Sequence, residues 1–154
     1  MLQTMILISH RGNINGKNEN LENRPTYIDK AINKGFDVEV DVWYVNVEKN
    51  WDWFLGHDFP QYKISIDWII NRSNNLWVHC KNTESLVFFK NFNLDINYFW
   101  HEKDTVTLTS KNYIWAYPGK QPIKNSIAVM PEIYSDKIEN CLGVCSDFIQ
   151  IYLK

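Results

Sequence analysis

The chain has 154 residues, 45% of them hydrophobic and 15% aromatic, with a formal net charge of −2. That length makes a single globular domain, 1–154, able to bury roughly 68 to 70% of the surface its unfolded chain exposes. The near-neutral charge and the lack of any Lys/Arg run exclude a general nucleic-acid or anionic-membrane binder, so an anionic substrate has to be caught by local charge.

Met5-Ile6-Leu7-Ile8 is a continuous apolar run that stops at Ser9-His10-Arg11-Gly12. It reads as a strand covered on both faces, with ionisable side chains delivered at its C-terminal end. The run is far too short to cross a membrane and lacks the basic start and cleavage site of a signal peptide. A cytoplasmic protein with no integral membrane segment is therefore expected. Residues 13–23 are polar and turn-rich. Pro25 then suits the first turn of a helix whose apolar positions Tyr27, Ile28, Ala31 and Ile32 recur at helical spacing until Gly35 ends it. Phe36-Asp37-Val38-Glu39-Val40-Asp41-Val42 alternates strictly, placing the valines on one strand face and Asp37, Glu39 and Asp41 on the other. Facing water, these acids are an ordinary solvated edge; facing an interior, they need a cation or cationic side chains between them. Strand, helix, strand in this order implies a right-handed crossover between parallel strands. His10 and the Glu39/Asp41 pair then lie at the same end.

Residues 43–50 read as a connector, followed by a short strand or hairpin arm, Trp51 to Leu55, that returns Gly56-His57-Asp58 toward that end. Residues 64–70 are apolar enough for a helix, and 71–75 break it. Leu76-Trp77-Val78-His79-Cys80-Lys81 is the next short strand, again finishing in ionisable residues. Residues 83–92 follow as a helix with Leu86, Val87, Phe89 and Phe92 as its core positions. Beyond it, short strands are expected at 98–101, 113–117, 126–130 and 143–147, with connections that leave little room for helices. Strands that gather polar residues at one end are the pattern of a parallel α/β barrel or sheet. Cys80, Cys141 and Cys145 offer no second pair to complete a zinc set and read as free thiols.

Ser9-His10-Arg11-Gly12, then Glu22-Asn23, then Gly35 through Val42, then Gly56-His57-Asp58 carry a resemblance in both order and spacing. They resemble the glycerophosphodiester phosphodiesterase family of the PLC-like phosphodiesterase superfamily, over roughly the first 60 residues. The resemblance implies a (β/α)₈ barrel. Such barrels typically take about 250 residues, so this chain is expected to be a reduced or irregular α/β barrel of the TIM type. Its β/α units would be normal in the first half, and its helices truncated or missing in the second. The resemblance also implies a phosphoric diester hydrolase of lipid metabolism acting on a small-molecule phosphodiester. His10 and His57 match the family's acid/base pair, and Glu39 and Asp41 match the carboxylates that hold one divalent cation, magnesium or calcium. Arg11 matches the phosphate-contacting arginine and Lys81 the lysine closing the third-strand motif. Where the family has an acidic metal ligand two residues before that lysine, this chain has His79. Imidazole suits manganese, zinc or iron better than calcium.

The chemistry follows without the family. Attack on a phosphodiester needs positive charge on its non-bridging oxygens, here from a metal, Arg11 and Lys81. A base must activate the attacking hydroxyl and an acid must protonate the leaving alkoxide, and histidine can do either near neutral pH. The competing expectation is a non-catalytic barrel that binds a phosphorylated ligand. Glu22 reads as a supporting or capping carboxylate. His101, Trp115 and Glu132 are weaker candidates for the mouth of the site; Asp147 is left open, and Asp37 has no identified partner.

Overall fold

Alternation in Asp37–Val47 decides the architecture. This strand, β2, turns Val38, Val40 and Val42 onto a face where all three are fully buried. Burial of these three side chains contributes on the order of 5 kcal/mol, enough to commit the strand to the interior and its acids to the opposite face. The structure, a computed structural model, describes residues 4–153. β1 (Ile6–His10) and β5 (Leu76–Cys80) pair with β2 in parallel, and β6 (Asn97–Phe99) follows β5. On the far side of β1, in order, come β10 (Gly143–Ser146), β9 (Ser126–Val129) and β8 (Ile114–Ala116), all parallel.

The barrel of β/α units expected from the sequence does not form. Among the described residues, ten strands make one mixed sheet, curled into a half-barrel, with only four short α-helices. The antiparallel pairs are β2 with β3 (Asn50–Leu55), β3 with β4 (Tyr62–Ile64), and β7 (Val106–Leu108) with β8. The physical reason is in the connections. After β6 they are short and carry Pro118, Pro122 and Pro131, so no amphipathic helix of useful length fits between strands. The longest helices are α1 (Pro25–Asn33) and α3 (Thr83–Phe92); α2 (Ile66–Ile70) and α4 (Pro131–Tyr134) are single turns. No helix among the described residues is long and apolar enough to cross a membrane.

Two other readings need correction. Residues 43–47 are not a connector but continue β2 into a hairpin with β3. Residues 62–64 form β4, so the following helix starts only at Ile66, where the Ser65 hydroxyl caps the Trp68 N–H.

Register explains the two cores. Ile8 pairs with Asp37 and Cys145, His10 with Glu39, and Asp41 with His79, so these side chains share the concave face. At its lower level that face is filled by Ile8, Trp77, Phe99, Trp115, Ile127 and Cys145. The convex face packs the β2 valines against Ile28 and Ala31 of α1, Ile69 of α2 and Phe89 of α3. Asp37 sits at the start of β2, where its carboxylate accepts hydrogen bonds from Trp77 Nε1 at 3.0 Å and Asn75 Nδ2 at 3.2 Å. Burial pushes its carboxyl up, and these two donors oppose the shift. The partner missing from the sequence reading is thus an indole and an amide, not a cation. Cys80, Cys141 and Cys145 are free thiols.

Candidate functional site

Two strands meet end to end along one edge of β2. Glu39 O accepts from Arg11 N at 2.9 Å, continuing β1, and Asp41 O accepts from Gly56 N at 3.1 Å, continuing β3. His10-Arg11-Gly12 and Gly56-His57 are therefore delivered to adjacent positions on the strand that carries the acids. The glycines of both motifs are steric requirements. A Cβ on Gly12, which lies at φ 93°, would come within 2.7 Å of Tyr27 Cδ1, and one on Gly56 within 2.1 Å of the Phe59 carbonyl oxygen. On the other edge of β2, the Lys81 N–H bonds Val42 O and sets His79 and Lys81 beside Asp41.

Asp41, fully buried, is the centre. Its Oδ2 accepts from Asn23 Nδ2 at 2.9 Å and lies 3.0 Å from Arg11 Nε and 3.4 Å from His57 Nδ1. Its Oδ1 lies 3.3 Å from His79 Nδ1 and 3.7 Å from Lys81 Nζ. Burial drives the Asp41 carboxyl up, but His57, His79 and Arg11 overcome it and hold the group well below the usual carboxylate range. Glu39, 2% exposed, faces His10 Nε2 and His79 Nδ1, each at 3.7 Å. Burial lowers the His79 imidazolium, yet Asp41 and Glu39 raise it to about 9.

The two histidines on the concave face are oriented from behind. His79 Nε2 donates to the His101 carbonyl oxygen at 2.7 Å, since a carbonyl only accepts, and the ring stacks on Phe99 at 5.1 Å. Nδ1 is thereby turned toward Glu39 and Asp41. His10 Nδ1 donates to Asp147 Oδ1 at 2.8 Å, which leaves Nε2 aimed into the site. Burial raises the Asp147 carboxyl, and His10 together with Asn13 brings it below its ordinary value.

The donor set fits a divalent cation. One atom each from Glu39, Asp41 and His79 lie within 4.8 Å of one another. Glu39 Oε2 and Asp41 Oδ1 are buried with no hydrogen-bond partner; His10 Nε2 stands 3.7 Å from the first, and His79 Nδ1 and Lys81 Nζ stand 3.3 and 3.7 Å from the second. Unpaired buried carboxylate oxygens converging with an imidazole nitrogen held by a backbone carbonyl are what a metal centre needs before its ion arrives.

All seven residues singled out from the sequence, His10, Arg11, Glu39, Asp41, His57, His79 and Lys81, come together here. Glu22 supports Arg11, its Oε2 accepting from Nη1 at 3.2 Å. Asp147 belongs to the site as the partner of His10. His101 contributes only its carbonyl, its ring donating to Asp104 O; Trp115 lies in the lower core. Glu132 accepts from Ser146 and Tyr152 and does not reach the cluster. Sequence reasoning missed the roles of Asn13 and Asn23. Asn23 grips Asp41 twice, donating to Oδ2 and accepting from its backbone N–H at 3.0 Å. Its place beside Glu22 in the second motif was the available signal. A cleft of about 280 Å³, lined by Arg11, Asn23, His57 and Phe59 among others, opens beside the cluster. Comparison with known proteins found no matching family model, curated protein or solved structure.

Proposed function

We propose that this protein cleaves a phosphodiester, of the glycerophosphodiester or related lipid head-group class, with one divalent cation held by Glu39, Asp41 and His79. The observation that carries this reading is convergence: short motifs spread over residues 9–81 bring three histidines, an arginine and a lysine around the same two buried carboxylates. The resemblance of those motifs to the glycerophosphodiester phosphodiesterases supports the same chemistry, though not the barrel architecture.

The phosphoryl group would lie between His10 and His57. Arg11 and Lys81 would neutralise its non-bridging oxygens. The bound cation would supply further charge stabilisation at the phosphoryl group. His10, whose Nδ1–H is held by Asp147, would act as base, taking the proton from the attacking hydroxyl through Nε2 as the new P–O bond forms. His57, open to the cleft and with Nδ1 3.4 Å from Asp41 Oδ2, would give a proton from Nε2 to the departing alkoxide as the old P–O bond breaks, once the phosphoryl group has drawn Arg11 Nη2 away from that nitrogen. The attacking hydroxyl is water for hydrolysis, or a neighbouring hydroxyl of the substrate for a cyclic phosphate product.

The test is release of glycerol 3-phosphate or a cyclic phosphate from glycerophosphodiesters with magnesium, calcium, manganese and zinc compared. Turnover with at least one ion is expected. No turnover with any of them, alongside retained binding of the diester, would favour the phosphorylated-ligand binder instead.

His79 makes the ion binding pH-dependent. With its imidazole raised to about 9 in the metal-free protein, the ring is protonated at neutral pH and must lose that proton to become a ligand. Close to one proton should be released per ion bound at pH 7, falling toward none as pH rises past about 9, and apparent affinity should climb across the same range. Calorimetry in buffers of different ionisation enthalpy measures this directly. Equal heats in all buffers at pH 7 would mean that His79 does not ligate.

A further inference from the structure

Asn13 is fully buried and links the Arg11 side of the site to the His10 side. Its Nδ2 donates one hydrogen to Glu22 Oε1 at 2.9 Å and the other to Asp147 Oδ1 at 2.8 Å. On the opposite side its Oδ1 accepts from Asn18 N at 3.1 Å and from the Tyr27 hydroxyl at 3.3 Å. Two carboxylates on one side and two donors on the other allow the amide only one orientation. Each carboxylate in turn holds a working side chain: Glu22 Oε2 accepts from Arg11 Nη1, and Asp147 Oδ1 from His10 Nδ1. A primary amide is well suited to this place. It offers two N–H groups from a single uncharged nitrogen, so it can join two buried carboxylates without adding charge. Aspartate there would bring a third carboxylate into the pair, and serine would supply a single donor.

We propose that Asn13 is a positioning residue that locks the Arg11 guanidinium and the His10 imidazole into one unit, through Glu22 on one side and Asp147 on the other. Its catalytic meaning rests on the phosphodiesterase reading above, but the lock itself does not. Loosening the arginine side of the network loosens the histidine side, although neither a hydrogen bond nor an ion pair joins Glu22 to His10.

The lock can be read on the His10 ring by ¹⁵N–¹H NMR of the full chain, as exchange of its Nδ1 proton with water. Glu22→Gln is expected to speed that exchange about tenfold, the scale of one weakened charge-assisted hydrogen bond. Tyr27→Phe, which removes one of the two donors to Asn13 Oδ1, should produce a smaller increase in the same direction. In an Asn13→Ala background the His10 proton should already exchange fast, with Glu22→Gln adding nothing. An unchanged His10 signal in both Glu22→Gln and Tyr27→Phe would overturn the proposal, and neither substitution depends on the Asn13 variant folding. So would an undiminished effect of Glu22→Gln in the alanine background, because the influence would then bypass Asn13. A protein that turns over no phosphodiester yet shows these exchange effects would lose the proposed function and keep the lock.

Discussion

On the proposed phosphodiesterase reading, replacing His10 with glutamine should lower turnover of a glycerophosphodiester by about 10²- to 10⁴-fold, the usual worth of a positioned general base. Cation affinity should change little, because His10 approaches the ligand set only at 3.7 Å from Glu39 Oε2. His57→Gln should differ in a diagnostic way. An acid that protonates the leaving alkoxide matters greatly for an alkyl ester and little for an aryl ester whose phenolate departs unaided. His57→Gln should therefore cripple the glycerophosphodiester reaction and largely spare a nitrophenyl phosphodiester, whereas His10→Gln should depress both. Initial rates on the two substrates decide it. The reverse pattern would exchange the roles of the two histidines, and full activity in both variants would remove them from the chemistry.

What the sequence disclosed depended on whether a residue's role left a local pattern. The strict alternation from Asp37 to Val42 disclosed the central strand and its two faces, because burial on one face imposes a period of two, but not whether the acids on the other face are solvated or buried. Trp43 to Val47 did not read as strand. The hairpin turn uses Glu48 and Lys49, both at positive φ (48° and 69°), rather than the Asn-Gly or Asp-Gly that advertises such a turn. β7 lies at the end of the sheet with Val106 and Leu108 exposed, so no burial pattern marked it. The barrel expectation extended the resemblance past the first 60 or so residues that carry it; the proline-bearing connections of the second half lead instead to the curled mixed sheet. The motif residues of the site were legible because His10, Arg11, His57, His79 and Lys81 fall at or just after strand ends, and Glu39 and Asp41 sit in the strictly alternating part of β2. Asn13 and Asp147 were not, since their importance comes from contacts spanning 134 positions that only the folded chain brings together.

Replacing His79 with aspartate will change which ion the protein prefers, and by a large factor. The proposed ligands are two carboxylates and an imidazole whose Nε2–H is fixed on the His101 carbonyl, leaving Nδ1 directed at Glu39 and Asp41. A nitrogen donor favours borderline ions such as manganese and zinc over hard magnesium and calcium. Outer-shell orientation of this kind commonly changes affinity by about 10- to 100-fold. His79→Asp replaces that donor with a third carboxylate. The variant should bind calcium or magnesium better than its parent and zinc at least about tenfold more weakly, the lower end of that same range. Ion-dependent shifts in melting temperature and direct titration both report this without any turnover. The substitution has a cost in the metal-free state, where it places a third carboxylate beside Glu39 and Asp41 and removes the His79 imidazolium that now stands between them. The variant should melt lower than the parent without ions and recover most with calcium. Zinc preference that survives the substitution would show that His79 is not a ligand, and would leave the Glu39 and Asp41 carboxylates as the whole of the protein's contribution to the ion.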